Sequence, residues 1–368
     1  MESLYIHIPF CEKICTYCDF AKEVSKPFKR DRYLAALEKE LEAHAERLKD
    51  LRTIFIGGGT PSILSPTQFD RLGGMLKRHI PMPDIEEFTV ECNPSDINPD
   101  LAQKLIHIGV NRISIGIQTF NDEHLAFLNR THRSQDIARA VRTLRDAGFE
   151  NISADMLFGL PSQTMDALHD DMNQLLKLNV DHISYYNLIL EEGTRLHTLY
   201  KKGAVELPDE DKEADMYETV IRRLKDSGYA HYEISNFAKA GKEAIHNVRI
   251  WKDADYLGIG AGAHSKYGAT RYGNVRRVTR YIDTVLQDPS TVREAYPYEP
   301  VRDYMLNGLR LLEGISLNDF KIRFNKNVFD VYPSFKRMVE EGFLEQTDGR
   351  LHLTHKGLMY GNAIFQMV

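Results

Sequence analysis

Short apolar runs of strand length alternate with stretches of helical periodicity from Ser3 to Ser227. Gly109, Gly148 and Gly228 follow three of the helical stretches, as glycines that end helices do. The alternation predicts a parallel sheet covered by helices. The predicted strands are Ser3–Ile8, Arg52–Gly57, Glu86–Glu91, Arg112–Ile117, Asn151–Leu157 and His182–Ile189. The predicted helices are Phe28–Lys49, Ser65–His79, Pro99–Ile108, Asp122–Ala147, Thr164–Leu178 and Asp209–Ser227.

The number of strand–helix units favours a curved sheet or an incomplete barrel over a complete eight-unit barrel. The predicted fold class is therefore α/β, an incomplete (βα)6 barrel. In such sheets the active residues gather at the C-terminal ends of the strands. The first predicted strand runs into a cysteine-rich loop, and the next four end in GGGTPS, VECNP, GIQTF and DMLFGLP. These endings on one rim predict a functional site there.

The pattern changes after Ser227. His231–Ser235 is compatible with one more strand, and residues 236–278, rich in Gly, Asn and aromatic residues, predict a long and partly irregular segment. From about Tyr298 short helices precede a hairpin, Gly342–Gln346 and Arg350–Thr354, as in a winged-helix module. We expect three parts: a barrel at 1–235, an irregular connection at 236–297, and a C-terminal winged-helix-like docking or lid module at 298–368.

Composition narrows the class of protein. The 368 residues are 42% hydrophobic and 27% charged, as in a folded enzyme, and the net charge of −6 argues against a general affinity for nucleic acid. No run approaches the roughly 18 apolar residues of a transmembrane helix. The opening MESLYIHIPF lacks the features of a signal peptide, and four cysteines are too few for a disulfide scaffold. We therefore expect a cytoplasmic protein.

Cys11, Cys15 and Cys18 form the strongest chemical signal, in the spacing C-x3-C-x2-C. Three thiolates can hold a 4Fe–4S cluster and leave its fourth iron open for chemistry. A zinc site with His7 or a distant histidine as fourth ligand is the alternative, but zinc sites usually show a second ligand pair and Cys92 stands alone. Cys92 follows Glu91 in a strand, so we expect it on the opposite face as a buried apolar residue.

C-x3-C-x2-C after a first strand resembles the radical S-adenosylmethionine superfamily, in which the open iron chelates S-adenosylmethionine and one electron cleaves it to a 5′-deoxyadenosyl radical. The run Gly57–Ser62 lacks the frame of a Walker phosphate loop and is similar to the glycine-rich segment that binds the cofactor's amino group in that superfamily. A carboxylate at Glu91 would favour the cofactor's positive groups.

The porphyrin-linked branch of the superfamily supplies further implied cofactor contacts. By that resemblance, the S-adenosylmethionine-binding positions are Tyr5, Tyr17, Gly58, Gly59, Thr60, Glu91, Gln118, Arg130 and Asp155. The resemblance also implies a second S-adenosylmethionine, next to Tyr17, Gly59, Thr60, Gln118, Arg130 and Asp155. Amide, guanidinium and carboxylate groups suit ribose hydroxyls, a carboxylate and an ammonium group respectively.

Four longer runs are similar to the coproporphyrinogen oxidase-like family: RISIGIQ, GLPSQT, YEISNFA and GIGAGAHS. The last also fits the dinucleotide fingerprint G-x-G-x-x-A, which we discount because the following HSKYGATRYG does not predict a helix. The resemblance implies a radical-SAM barrel with a C-terminal helical, winged-helix-like domain.

Within that family the chain is similar to the heme chaperones more than to the oxygen-independent coproporphyrinogen III oxidases. The oxidases continue the motif to a further cysteine where this chain has Phe20, and they carry a longer segment before the cluster. The chaperones show H-N-x-x-Y-W, which His246, Asn247 and Trp251 match while Ile250 replaces the tyrosine. Imidazole is a common heme ligand, so His246 is the candidate heme-binding residue; the alternative is a hydrogen-bonded loop histidine.

The resemblance implies the cofactors 4Fe–4S cluster, S-adenosyl-L-methionine and heme. It implies as partners heme-accepting proteins and an electron donor such as a flavodoxin or ferredoxin, with no nucleic acid. Three alternatives stay open: radical decarboxylation of coproporphyrinogen III, radical chemistry on RNA or a small molecule, and a zinc-stabilised scaffold without redox chemistry.

Overall fold

The computed structural model describes residues 1–368. The strands are β1 (Ser3–Ile8), β2 (Phe10–Cys11), β3 (Glu23–Val24), β4 (Thr53–Gly58), β5 (Glu87–Cys92), β6 (Arg112–Gln118), β7 (Ile152–Phe158), β8 (His182–Asn187), β9 (Ala230–Glu233), β10 (Asn236–Ala238), β11 (Tyr256–Ile259), β12 (His264–Tyr267), β13 (Thr270–Asn274), β14 (Arg293–Tyr296), β15 (Ile315–Ser316), β16 (Leu344–Thr347) and β17 (Arg350–Leu353).

The α-helices are α1 (Pro27–Ala43), α2 (Pro66–His79), α3 (Pro99–Ile108), α4 (Asp122–Phe127), α5 (Ser134–Ala147), α6 (Met165–Lys177), α7 (Arg195–Lys201), α8 (Glu210–Asp226), α9 (Ile245–Trp251), α10 (Val278–Gln287), α11 (Pro300–Gly308), α12 (Leu317–Phe324), α13 (Val328–Val331), α14 (Ser334–Glu340), α15 (His355–Met359) and α16 (Gly361–Phe365). Short 3-10 turns lie at Ala45–Leu48, Pro61–Ile63, Met82–Asp84 and Pro289–Thr291. No helix is long and apolar enough to cross a membrane.

One sheet of 12 strands organises the molecule, in the order β14-β13-β12-β11-β1-β4-β5-β6-β7-β8-β10-β9. The central strands β11, β1 and β4 to β8 run parallel, and the remaining strands extend both ends with antiparallel pairs. Parallel neighbours bring their carboxyl ends to the same rim. The predicted α/β class and the strand–helix order are confirmed.

The two faces of the sheet differ in chemistry. Leu4, Ile6 and Ile8 alternate with Tyr5 and His7 along β1, and the three aliphatic side chains are fully buried in the main hydrophobic core. The helices cover this apolar face. The other face, which we call the inner face, carries Tyr5, His7 and the polar side chains of the other central strands.

The predicted helix Asp122–Ala147 is wrong in one respect, because the structure divides it into α4 and α5. Asn129 adopts a left-handed backbone conformation with φ of +60° and ends the first helix. Residues 128–133 leave the helical path, and this places Arg130 in a turn above the sheet. Residues 128–133 contain no Gly or Pro, so the sequence does not indicate that the helix ends there.

The segment 236–297 is more regular than the sequence predicts. It contains β10 to β14, α9 and α10, and β11 pairs in parallel with β1 at the centre of the sheet. The strand β12 follows the glycine run 258–263 where a dinucleotide site would need a helix. Two amides of that run are also already bonded, since Gly260 N donates to Glu40 Oε2 (2.9 Å) and Ala261 N to the Tyr33 hydroxyl (2.9 Å).

The C-terminal part packs around its own hydrophobic cluster of 12 buried residues, centred on side chains such as Met305, Phe320 and Phe335. Its short helices surround a three-stranded antiparallel sheet in the order β15-β17-β16. The turn Asp348–Gly349 has positive φ at both residues, as a tight two-residue hairpin requires. This agrees with the helical, winged-helix-like fold expected for the C-terminus.

Candidate functional site

Of the three clustered cysteines, Cys11 ends β2, and Cys15 and Cys18 lie on the loop between β2 and β3, at the rim where the parallel strands end. Cys11 is buried, while Cys15 and Cys18 are partly exposed, and all three are free thiols. The loop is anchored through Thr16, whose N–H donates to Leu128 O (3.2 Å) and whose carbonyl accepts from Leu196 N (2.8 Å). Backbone bonds from two later elements therefore fix the path of the cysteine loop.

The sulfur atoms share one electrostatic environment. Burial raises the pKa of the Cys11 thiol to about 11, the Thr60 hydroxyl opposes this rise by hydrogen bonding, and the neighbouring Cys15 and Cys18 add to it. Arg130 Nη1 lies 3.5 Å from Cys15 Sγ, so a cation faces the group. Burial favours the neutral thiols of Cys11 and Cys18, and a bound metal would be needed to hold them as thiolates.

The donor set fits an iron–sulfur cluster better than a zinc ion. No three His, Cys, Asp or Glu side chains anywhere in the molecule are spaced to hold a single metal ion. At a zinc site all ligands meet one ion at about 2.0–2.3 Å. In a four-iron cluster each cysteine binds a different iron, so the sulfurs stand further apart. Cys11, Cys15 and Cys18 are all free and lie near enough for Cys15 and Cys18 to act electrostatically on Cys11, as ligands of one cluster must.

The glycine run after β4 allows the rim to close around Glu91. Gly58 N donates to Glu91 Oε2 (3.0 Å). Gly58 has φ of +115°, and a Cβ there would lie 2.4 Å from the ring of His7. A Cβ at Gly57 would lie 2.8 Å from the Glu91 carboxylate. Neither position can carry a side chain without displacing a group of the site.

Glu91 and Asp155 are two neighbouring carboxyls on the inner face. Burial raises the pKa of Glu91 to about 7, the charge of Asp155 adds to the rise, and the Gly58 amide opposes it. Burial also raises the pKa of Asp155, although hydrogen bonds from Ser114 and Ser184 stabilise its ionised form. Ser114 Oγ lies 3.0 Å from both Asp155 oxygens. A cationic ligand placed between these carboxyls would favour their ionised forms.

Arg130 and Gln118 meet at the end of β6. Arg130 Nη2 donates to Gly116 O (2.7 Å) and to Asn93 Oδ1 (2.5 Å), while its buried Nε has no partner. Gln118 has φ of +71°, where the pairing of β6 with β7 is irregular. A Cβ at Gly116 would come within 3.0 Å of Arg130 and 3.1 Å of Gln118, so the glycine makes room for both.

Tyr5, His7 and Ala21 form a hydrogen-bonded chain beneath the cysteine loop. His7 Nε2 donates to Ala21 O (2.7 Å), because a carbonyl can only accept. His7 Nδ1 therefore accepts from the Tyr5 hydroxyl (3.0 Å). Burial lowers the pKa of His7 to about 4, which keeps it neutral. His7 thus supports the loop from within, and its ring is not free to ligate a metal through Nε2.

Tyr17 lies on the cysteine loop against a second apolar cluster. Its ring packs on Leu128, Leu157, Leu160, Leu188 and Leu196, and burial raises the pKa of its hydroxyl. The structure therefore brings the cofactor-binding residues predicted from the sequence towards one end of the sheet, except Tyr5, which lies in the middle of β1 and also lines a cavity beside His246. Cys92 lies in the hydrophobic core on the opposite face, as its alternation with Glu91 predicts.

Sequence reasoning missed the supporting roles of His7, Asn93, Ser114 and Gly116. Ser114 and Gly116 alternate with apolar residues along β6, and this period of two was a signal that both face the inside. His7 shows the same alternation along β1, so its inward orientation was also recognisable, whereas Asn93 is bound by Arg130 of another element and no local pattern indicates that role.

His246 lies apart from the rim, at the opposite ends of the strands. Thr53 donates its hydroxyl proton to Ser3 and so accepts from His246 Nδ1 (2.9 Å), which leaves the Nε2 lone pair without a partner. Burial lowers the pKa of His246 to about 3. Nearby lies a cavity of about 200 Å³, lined by Tyr5, Phe55, His246, Asn247, Ile250, Tyr256 and His264.

Trp251 ends the same helix, α9, but lines a different cavity. This cavity, of about 470 Å³, lies between α9 and the C-terminal part, and we call it the Trp251 cavity. Its charged lining groups are Lys252, Glu313, Asp319, Arg323 and Arg350. The guanidinium of Arg310 stacks 4.5 Å from the Trp251 ring centre, and the buried indole N–H has no hydrogen-bond partner.

The comparisons with known proteins agree with the fold. The family model of the radical SAM superfamily matches residues 5–175, and that of the HemN C-terminal domain matches residues 297–360. Two proteins named heme chaperone HemW are similar over nearly their whole length. The protein of Bacillus subtilis (strain 168) is 41% identical, with 99% of this chain and 98% of the relative covered. That of Escherichia coli (strain K12) is 33% identical, with 99% and 97% covered.

Among solved structures, the coproporphyrinogen III oxidase HemN from Escherichia coli, described as a radical SAM enzyme, is similar with a TM-score of 0.84. The alignment covers 99% of this chain and 89% of that one at 24% identity. At this identity the likeness establishes the fold alone.

Proposed function

The chain belongs to the radical SAM superfamily and to the HemW family within it, and we propose on that premise that it is a heme chaperone. It would bind a 4Fe–4S cluster, S-adenosylmethionine and heme, and would deliver heme to recipient proteins in the cytoplasm or at its membrane. The observation that carries the proposal is the convergence of three free cysteines, the glycine run and two inner-face carboxyls on one rim.

Cys11, Cys15 and Cys18 would hold the cluster, which when bound supplies an electron at low potential. Glu91 and Asp155 would receive the positively charged groups of S-adenosylmethionine. We assign the remaining contacts to the groups predicted from the sequence: the backbone of Gly58, Gly59 and Thr60, the rings of Tyr5 and Tyr17, and the polar ends of Gln118 and Arg130. The unpartnered Nε of Arg130 is a free donor for a ligand carboxylate.

The sizes of the two cavities described above support one placement of the heme. Ligand pockets for molecules of drug size or larger usually measure about 300–1,000 Å³. The cavity beside His246 is smaller than this, at about 200 Å³, whereas the Trp251 cavity reaches about 470 Å³. We therefore propose that the porphyrin lies in the Trp251 cavity, with its flat face on aromatic and aliphatic side chains and its propionates towards Lys252, Arg323 and Arg350.

Heme titration of the anaerobically reconstituted protein tests this placement. Trp251 is the only tryptophan of the chain, so its fluorescence reports directly on a ligand nearby. Lys252→Gln should weaken heme binding several-fold, since one ion pair at a partly exposed site is worth up to about 1 kcal/mol. Lys336→Gln, exposed on α14 and outside the cavity, is the matched control.

His246→Ala separates this placement from the one predicted by the sequence motif. Heme in the Trp251 cavity leaves the affinity of that variant unchanged. A large loss of affinity, with an altered heme absorbance spectrum, would instead make His246 the axial ligand and refute the placement. An anaerobic assay with coproporphyrinogen III, S-adenosylmethionine and a reductant runs in parallel. Formation of protoporphyrinogen IX would show that the protein is an oxidase and would refute the proposed chaperone function.

A further inference from the structure

Four large apolar side chains around the cysteine loop point into solvent. Ile14, Phe20, Val24 and Phe28 are 42%, 62%, 59% and 64% exposed, and we call them the loop patch. Single exposed apolar residues are ordinary on protein surfaces, whereas a group of them with a polar rim marks an interaction site. All four fall within one short stretch of chain that also carries the three cysteines.

The loop patch lies directly against the proposed cluster site. Val24 pairs with Cys11 in the short parallel ladder between β2 and β3. Ile14 precedes Cys15, and Phe20 follows Cys18 by two residues. Cys15 and Cys18 are only partly buried, so little protein separates their sulfurs from this surface. Any group that exchanges electrons with a cluster held by these cysteines would approach from here.

Basic residues surround the loop patch. Arg276 donates to Asp19 O, Lys29 Nζ to Thr279 Oγ1 (3.0 Å), and Arg32 pairs with Asp283 (3.2 Å), so the cysteine loop, the start of α1 and the start of α10 form one face. The two segments that form this face, residues 12–32 and 276–283, contain the basic residues Lys13, Lys22, Lys26, Lys29, Arg30, Arg32, Arg276, Arg277 and Arg280 and the acidic residues Glu12, Asp19, Glu23, Asp31 and Asp283. Nine positive and five negative side chains leave a local charge of +4, although the whole chain carries −6.

We propose that the loop patch and its basic rim are the docking surface for a small acidic protein that carries single electrons. The inference rests on the proposed function, because the cluster is its reason. Charge complementarity would steer an acidic carrier to this face of an otherwise negative protein. A small apolar centre suits the short-lived complexes of redox proteins, whose interfaces are among the smallest. On docking, one electron leaves the reduced carrier and enters the oxidised cluster, with no proton or bond exchanged.

Stopped-flow reduction of the reconstituted cluster tests the proposal, with flavodoxin hydroquinone as the acidic carrier and dithionite as the small-molecule comparison. Lys13 and Lys26 are exposed and have no ion-pair partner. The double variant Lys13→Glu/Lys26→Glu should slow reduction by flavodoxin about tenfold at low salt, with less difference at high salt. Reduction by dithionite should be unchanged. Lys326→Glu/Lys336→Glu, on the C-terminal part, changes the net charge equally and is the control.

A second pair of variants tests the apolar centre. Phe20→Ser should slow reduction by flavodoxin at any ionic strength, while Met367→Ser, at an exposed position on the C-terminal part, should not. Equal flavodoxin rates in wild type and loop-patch variants that retain iron would overturn the docking surface and leave the proposed function intact. The docking surface would also be overturned if the loop-patch variants lost only the binding to anionic lipid vesicles, or only self-association. A protein that holds no iron would refute the proposed function itself, and the docking surface with it.

Discussion

Glu91→Gln should stabilise the cofactor-free protein while weakening S-adenosylmethionine binding. Glu91 is a buried carboxyl whose pKa stands at about 7, above its ordinary 4.5, because burial and the nearby Asp155 disfavour its charge. The folded chain therefore binds more protons at this position than the unfolded chain. Its contribution to stability is most favourable at low pH and declines as the pH rises from about 4.5 to about 7.

The size of the effect follows from the two pKa values. At about 1.36 kcal/mol per pH unit, a rise from 4.5 to about 7 costs about 3 kcal/mol of folding free energy at pH 8. At pH 5.5 the cost is only about 1 kcal/mol, because the folded carboxyl is then largely protonated. Glutamine keeps the shape and can still accept from Gly58 N without carrying charge. The stabilisation by Glu91→Gln should therefore grow between pH 5.5 and pH 8.

Thermal unfolding of the metal-free protein at both pH values measures this difference. Glu345→Gln, which changes an exposed carboxylate on β16, controls for net charge. S-adenosylmethionine binding to the reconstituted protein should fall at least about tenfold in Glu91→Gln, since a charge-assisted contact is lost. If Glu91→Gln increases the stability equally at pH 5.5 and pH 8, or lowers it at both, the raised pKa of Glu91 is refuted.

Cys15→Ala should abolish the iron content and the brown colour of the reconstituted protein while the circular dichroism spectrum stays unchanged, because the thiol is partly exposed and outside the core; retained iron would contradict its role as a ligand. Gly58→Ala should lower the free energy of unfolding, measured with denaturant, by about 3 kcal/mol or more, because alanine would combine a positive φ with a clash against His7. The control Gly148→Ala should lower it by less, because φ is also positive there but the space around the residue is open. Arg310→Ala should increase proteolysis of residues 298–368, since it removes the cation on Trp251 and the partner of buried Glu233; an unchanged cleavage rate would show that other contacts hold this part in place.

Local signals let the sequence predict most elements of the barrel. The helix α3 begins and ends as predicted, because Asn98 Oδ1 accepts from Leu101 N (3.0 Å) at its start and Gly109 adopts a left-handed conformation at its end. β1 also has its predicted bounds, since its apolar alternation is uninterrupted. Capping residues and periodicity act within a few positions, so they can be recognised without knowledge of the fold.

The elements that the sequence did not predict depend on distant partners. The break between α4 and α5 has neither Gly nor Pro, and Arg130 is held in place by Gly116 on β6 and by Asn93, which follows β5. The strand β11 gains its partner from the first residues of the chain. The order of pairing in a parallel sheet is set by tertiary packing, and a short apolar run does not specify it. The same reasoning explains why the rim residues were recognisable while a support such as Asn93, which Arg130 binds from another element, was not.

Heme carriage and radical decarboxylation of coproporphyrinogen III require the porphyrin at different sites, so the position of the porphyrin distinguishes these two functions. A radical decarboxylase must bring a propionate to the rim where S-adenosylmethionine would be cleaved, so its porphyrin belongs on the inner face. The small cavity beside Tyr5 and His246, of about 200 Å³, lies towards the opposite ends of the strands from that rim. The Trp251 cavity lies beyond α9, whose first amides are bound by Glu87 at the start of β5 (2.8 and 3.1 Å), while Glu91 stands four residues further along that strand.

Four residues of strand span about 13 Å, and the thickness of α9 adds to the separation of the Trp251 cavity from the rim. A hydrogen atom can be abstracted only at contact distance, so heme held against Trp251 is protected from radical chemistry at the rim. We infer that carriage and decarboxylation are mutually exclusive for a porphyrin in this cavity. The test is to bind heme, confirm that Trp251 fluorescence is quenched, add S-adenosylmethionine and a reductant, and then recover the heme. Recovery of chemically unchanged heme would support carriage. Loss of its propionates under the same conditions would refute both the placement and the chaperone function.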